Sequence, residues 1–185
     1  MKIEIIAGSA RENSVTFRVA LYLQNWLKQN TEHETGIIDL RKWDLPHLQN
    51  TWPSIEKVPA PFKPLAERVY NADAFIVVTP EYNGSYSPAL KNLLDHFPKQ
   101  YRKPFGIVTA SPGAMGGMRA AQQMLLLVPA LFGTASPHLL IIPAVDKKFS
   151  PDGDLLEENF QDAVHNFINE FLWLAEKLVE EKVTV

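Results

Sequence analysis

Apolar residues in this chain gather into short runs at 3–7, 74–78, 105–110 and 139–142, with a weaker run at 34–40. The runs are rich in Ile and Val, and three are almost continuously apolar. That pattern predicts strands buried on both faces of a parallel sheet. Between the runs, apolar positions recur at helical spacing. Residues 15–29 place Phe17, Ala20, Leu21, Leu23, Trp26 and Leu27 mainly on one side. Residues 62–71 turn Leu65, Ala66 and Val69 inward, and 88–96 carry Leu90, Leu93 and Leu94. The segment 118–132 is mostly apolar, and 156–182 carries Phe160, Val164, Phe167, Ile168, Phe171, Leu174 and Leu178.

Strands alternating with helices predict right-handed crossovers and a three-layer α/β sandwich. Five strands and five helices within 185 residues fit a flavodoxin-like, five-stranded parallel sheet of order 2-1-3-4-5 better than a longer dinucleotide-binding fold. Nothing repeats and no low-complexity linker divides the chain, so 1–185 is read as a single domain. The irregular stretch 41–61, with prolines at 46, 53, 59 and 61, reads equally well as a surface excursion and as a functional loop.

Composition narrows function more than fold. A hydrophobic share of 46% with 21% charge is ordinary for a folded globular chain. The net charge of −3 gives no electrostatic case for nucleic acid or an anionic membrane. There is no cysteine, which excludes disulfides, thiolate metal sites and cysteine nucleophiles. His33, His47, His96, His138 and His165 are scattered and no two share helical ligand spacing, so no metal site is expected. No Gly-x-Ser-x-Gly elbow supports a hydrolase. The start, Met1-Lys-Ile-Glu-Ile-Ile-Ala7, reads as a charge-interrupted strand, and no run approaches the roughly 20 apolar residues of a membrane helix. A cytoplasmic location is the default expectation.

Ligands of open α/β sheets bind beyond the carboxyl ends of the strands, near the switch in strand order. Three strand exits carry suitable chemistry. The first is Gly8-Ser-Ala-Arg-Glu-Asn-Ser14, followed by a helix. Gly8 permits a tight turn, Ser9 and Ser14 supply hydroxyls, and the amides opening the helix near Ser14–Thr16 favour an anion. Arg11 adds a guanidinium fork suited to phosphate. The same residues also read as an N-cap at Asn13 or Ser14 with a solvated arginine. The loop is neither a P-loop nor G-x-G-x-x-G, so a monophosphate fits better than a pyrophosphate.

The second exit is Thr79-Pro-Glu-Tyr-Asn-Gly84, in which Pro80 ends the strand. Glu81, Tyr82 and Asn83 are read as a run of backbone amides facing the polar edge of a flat heterocycle, or as a turn before a helix capped by Ser85 or Ser87. The third exit, Ser111-Pro-Gly-Ala-Met-Gly-Gly117, is read as a backbone stripped of side chains for close approach to a planar ligand.

Together these stretches resemble the NAD(P)H-dependent FMN reductases, a group that includes related quinone, chromate and azo-dye reductases. The resemblance spans nearly the whole chain. It rests on Gly8–Ser14, on Pro80-Glu-Tyr-Asn83 with Leu90-Lys-Asn-Leu-Leu-Asp95, and on Ser111–Gly117. It implies non-covalent FMN, with NAD(P)H as co-substrate and a flavin, quinone, azo dye or metal oxyanion as acceptor. By position, Ser9, Arg11, Ser14, Val15 and Thr16 would hold the phosphate. Pro80, Glu81, Tyr82 and Asn83 would line the isoalloxazine, and Ser111, Gly113, Met115, Gly116 and Gly117 would complete its other side. Thr16 departs from the family's frequent Asn, and Ser87-Pro88 shifts a common proline by one position.

No obligatory catalytic residue is expected, because a bound flavin itself accepts and passes on electrons. Lys91 and Asp95 are read as an i,i+4 pair, with Asn92 in a capping or interface role. A ping-pong order follows if nicotinamide and acceptor share one open space. The alternatives are a flavodoxin-type electron carrier without its own NAD(P)H activity and a flavin-free scaffold. Finally, Met124-Leu-Leu-Leu-Val128 covers more than one helix face. It predicts a homodimer or homotetramer, unless the C-terminal helix buries it.

Overall fold

The computed structural model describes residues 1–182. The strands are β1 (Lys2–Ala7), β2 (Glu34–Asp39), β3 (Ala74–Thr79), β4 (Pro104–Ser111), β5 (Thr134–Ala135) and β6 (Leu140–Pro143). The helices are α1 (Val15–Asn30), α2 (Lys63–Asn71), α3 (Pro88–His96), α4 (Met118–Ala130), the single turn α5 (Val145–Lys148) and α6 (Gln161–Lys182). All strand pairs are parallel, and the order is β2-β1-β3-β4 with a split last position. There β5 pairs with Pro104–Phe105 and β6 with Val108–Ser111. The order agrees with the sequence reading, but the fifth position holds two short strands. Between them stands Pro137, which has no N–H for a ladder.

Period-two alternation sorts the core into two layers. Ile6, Phe75, Val77, Phe105 and Ile107 pack with α2, α3 and α4. Ile3, Ile5, Ala74, Ile76, Val78 and Val108 pack with α1 and α6. Gly106 is required on the second face, since a Cβ there would stand 2.9 Å from the Phe167 ring. The acidic residue within β1, Glu4, is buried against the sheet and held by both arms of the Arg68 guanidinium from α2. Such pairing is what makes a buried carboxylate tolerable.

Two stretches differ from the periodicity. The last helix begins at Gln161 rather than 156, because Leu156 N–H donates to Lys148 O (2.8 Å) and Phe149 bridges Leu155. The turn between them carries Pro151 and Gly153 at φ 88°, and apolar spacing alone does not register that reversal. The stretch 41–61 contains short 3-10 turns and is pinned by buried Trp52, which stacks on Phe62 (5.4 Å) and abuts His96 (4.3 Å). No helix among the described residues is long and apolar enough to cross a membrane.

Candidate functional site

The carboxyl ends of β1, β3 and β4 meet on one rim. At the β1 exit, Gly8 N–H donates to Val78 O (2.8 Å), and a Cβ on Gly8 would lie 3.0 Å from that oxygen. Gly8 O accepts the Ser87 hydroxyl; Ser87 N–H donates to Thr79 Oγ1 (3.1 Å), and Ser87 Oγ caps α3 by accepting from Leu90 N (3.0 Å). Buried polar groups thus knit the β1 and β3 exits together. Ser14 caps α1, its Oγ accepting from Phe17 N (3.3 Å) and sharing a hydrogen bond with Thr16 Oγ1 (2.8 Å). The N–H groups of Val15 and Thr16, ahead of the first full turn, have no carbonyl partner within the helix. Arg11 is exposed, and among the described residues its guanidinium forms no ion pair.

A brace holds this loop from the β2 side. Asp39 accepts from Arg41 Nε (2.9 Å) and Nη2 (2.8 Å), while Arg41 Nη1 donates to Glu12 O (3.3 Å). The same guanidinium lies 3.8 Å over the Phe17 ring. Burial pushes the Asp39 carboxyl up, but the Arg41 hydrogen bonds and charge outweigh it and hold the group below the ordinary carboxylate value.

The β3 exit is a tight hairpin. Tyr82 and Ser85 exchange backbone bonds (2.8 and 3.2 Å) around Asn83 (φ 51°) and Gly84 (φ 84°). The Tyr82 amide is therefore engaged, so the expected run of three free amides is broken at its centre. The Tyr82 phenol oxygen is buried without a hydrogen-bond partner. Glu81 reaches across to α4, where Oε2 accepts from Arg119 N (3.0 Å) and Ala120 N (3.4 Å), with Arg119 Nη1 at 3.6 Å from Oε1.

At the β4 exit, Ser111 Oγ accepts from Gly113 N (3.0 Å). Gly116 and Gly117 have φ of 61° and 88°. A Cβ on Gly116 would stand 2.7 Å from Pro143 N, and one on Gly117 would stand 2.9 Å from Thr109 Cβ. These two glycines serve the packing of the exit against its neighbouring strands. Only Gly113 leaves open room where its side chain would be, with Ser111 Oγ at 3.4 Å as its sole neighbour.

The exits enclose a cavity of about 300 Å³, within the usual range for a small-molecule site. Of the residues expected from the sequence, Ser9, Arg11, Ser14, Val15, Thr16, Pro80, Glu81, Tyr82 and Ser111 line it. Asn83, Gly113 and Met115 are exposed along the rim, and Gly116 and Gly117 are buried behind it. Asn13, Ala110 and Pro112 also line the cavity. They were not among the expected site residues, although Asn13 and Pro112 sit inside the quoted motifs. One end thus offers unpaired amides, hydroxyls and a guanidinium, and the other a phenol with an unpartnered oxygen. That donor set fits a ligand with an anionic tail and a flat polar ring.

On α3, Lys91 Nζ donates to Asp95 Oδ1 (2.6 Å), the expected i,i+4 pair. Asn92 Nδ2 donates to Pro46 O (2.9 Å) and Leu45 O (3.4 Å), tying the β2 exit loop to the helix.

Comparison with known proteins bears on the chain as a whole. Residues 1–145 match the family model of NADPH-dependent FMN reductases. The chain is 34% identical over 178 residues to an FMN-dependent NADPH-azoreductase of Staphylococcus aureus, covering 93% of this chain and 94% of that protein. Its fold is similar to that of a flavoenzyme NAD(P)H:(acceptor) oxidoreductase from Paracoccus denitrificans (TM-score 0.77, 23% identity, 95% and 97% of the two chains). A flavodoxin variant from Pseudomonas aeruginosa is similar at a TM-score of 0.55 and 20% identity, covering 97% of each chain.

Proposed function

The chain belongs to the NADPH-dependent FMN reductase family, and from that premise we propose that nicotinamide and a small electron acceptor use the cavity at the β1, β3 and β4 exits in turn. The protein is an FMN-dependent NAD(P)H oxidoreductase, with FMN as cofactor and NAD(P)H as co-substrate. When bound, FMN would supply the two-electron chemistry that links the nicotinamide to the acceptor.

The observation that carries the site assignment is the polarity of the cavity. The open amides of Val15 and Thr16, the hydroxyls of Ser9 and Ser14 and the Arg11 fork would hold the phosphate. Pro80, Glu81, Tyr82 and Ser111 would flank the ring from two strand exits, with Asn83, Gly113, Met115, Gly116 and Gly117 shaping the rim behind them. No side chain in the cavity is arranged as a nucleophile with a base, so the residues bind, orient and exclude water. The acceptor is a small molecule of the quinone, azo-dye, free-flavin or metal-oxyanion kind. The azo class is favoured by the 34% identical relative. One shared space implies ping-pong kinetics. Initial rates with nicotinamide and acceptor both varied, run with NADPH and NADH across these acceptors, should give parallel double-reciprocal lines. Intersecting lines would overturn the shared-space reading.

The enzyme is further proposed to be a homodimer or homotetramer. Of the run 124–128, Met124, Leu127 and Val128 are buried, but Leu125 and Leu126 are 41% and 69% exposed. The C-terminal helix does not cover them, because α6 packs on the opposite face of the sheet from α4. Met118, at the start of α4, and Phe132, just beyond its end, are exposed apolar residues as well. Sedimentation of a monomer at micromolar concentration would remove this assignment.

A further inference from the structure

Helix α4 begins without a cap of its own. Its N-cap residue is Gly117, which has no side chain, and no acidic residue lies in its first turn. Four N–H groups at such an end need partners, and the helix end carries partial positive charge. The missing acceptor comes from another strand exit. The Glu81 carboxylate takes the Arg119 and Ala120 N–H groups (3.0 and 3.4 Å), the second and third amides of the helix. Its side chain is only 16% exposed, and the Arg119 guanidinium stands 3.6 Å from its other oxygen. Glu81 follows Pro80 at the base of the 82–85 hairpin, so the contact bridges 38 residues of chain. Gly117 cannot be exchanged for an ordinary capping residue, because its φ is 88° and a Cβ would strike Thr109. The sequence places the cap where the fold leaves room for it.

Glu81 also lines the cavity, alongside Ser111 and Pro112 from the β4 exit. One carboxylate therefore does two things at once: it joins the two walls that flank the proposed ring site, and it neutralises the positive helix end beside that site. We propose that Glu81 is a positioning residue, fixing the gap between the β3 and β4 exits and keeping the α4 helix end from favouring the more negatively charged, reduced form of the flavin. The proposal rests on the site assignment above.

Two variants separate its parts. Glu81→Ala removes both acceptor and charge, while Glu81→Gln keeps an amide oxygen and removes only the charge. In the flavin-free protein, hydrogen exchange at the Arg119 and Ala120 amides should speed up about tenfold or more in Glu81→Ala and less in Glu81→Gln, with amides near Leu127 unchanged. Oxidised FMN should bind about tenfold more weakly to Glu81→Ala, and within about threefold of wild type to Glu81→Gln. Glu81→Gln should bind reduced FMN relatively better by about tenfold, which raises the two-electron midpoint potential by about 30 mV. Unchanged exchange at Arg119 and Ala120 would overturn the capping role. Opened amides with wild-type FMN affinity in Glu81→Ala would overturn the positioning role, and an unshifted potential in Glu81→Gln the electrostatic one. Arg11→Ala serves as the control for the site itself: if it and both Glu81 variants all bind FMN as wild type does, the site assignment fails, whereas silence of Glu81 alone sinks only this proposal.

Discussion

The β1 and β4 exits are both short, polar and glycine-bearing, yet the structure uses them in opposite ways. At β1, the glycine serves one close strand contact, and the following polar groups stay available: Arg11 is unpaired among the described residues, and the Val15 and Thr16 amides precede the first helical carbonyl that could receive them. At β4, Ser111 bonds within its own loop, Gly116 and Gly117 are packed against Pro143 and Thr109, and the helix end is capped from Glu81. The first loop is built around its free donors and the second around its own packing. Similar loop composition thus says little about which loop touches a ligand; the decisive question is where each donor already points.

The comparison breaks most easily at Gly117. Gly117→Ala places a Cβ at 2.9 Å from Thr109 in a left-handed backbone. It should cost about 3 kcal/mol from strain and overpacking. For a chain of this length that is a fall of roughly 6–12 °C in the melting temperature of the flavin-free protein. A melting temperature within about 1 °C of wild type would show that the β4 loop has slack, and that its glycines could serve a ligand after all. Arg11→Ala is the opposite case. It should leave flavin-free stability within about 0.5 kcal/mol of wild type, since no bond is lost. FMN affinity should nevertheless fall about ten- to a hundredfold, the value of a charge-assisted contact. Arg11→Lys should recover only part of it, because an ammonium lacks the fork. Fluorescence titration of FMN reads both. A loss of stability in Arg11→Ala without a loss of affinity would reverse the comparison.

Most of the architecture was legible because each element announced itself by more than one signal. Helix α3 runs from Pro88 to His96 as expected, where Ser87, Pro88 and the Leu90, Leu93, Leu94 spacing all agree. The start of α6 was misplaced because Leu156 and Phe160 continue an apolar spacing while their backbone pairs with Lys148 and turns at Glu158–Phe160. Periodicity sees side chains and not the carbonyl that an amide has already found. The same gap explains the site. Nine of the fourteen expected residues line the cavity, because strand exits and helix starts are readable from sequence. The engagement of the Tyr82 amide by Ser85, and of the Arg119 amide by Glu81, required the hairpin and a contact 38 residues away. Long-range hydrogen bonds of that kind leave no local pattern.

The smallest effect concerns what keeps the β1 loop open. Arg41 touches both Glu12 O and Phe17, and it is aimed by the Asp39 carboxylate. Because the folded Asp39 carboxyl lies below its ordinary value of 3.8, the ionised form is the one the fold favours. Its contribution is fully present above about pH 5 and is lost as pH falls through the lowered folded value. Asp39→Asn keeps the shape and removes the charge, so it should cost about 1 kcal/mol or less at neutral pH, the Arg41 end being accessible to water and salt. The stability gap between wild type and Asp39→Asn should then narrow steadily below pH 4, and in concentrated salt it should shrink at neutral pH as well. Thermal melts of both proteins between about pH 3 and 7 measure it. A gap that stays constant across that range would mean that Arg41 is held by Phe17 and Glu12 without help from the charge, and that the open donors of the β1 exit owe nothing to the second strand.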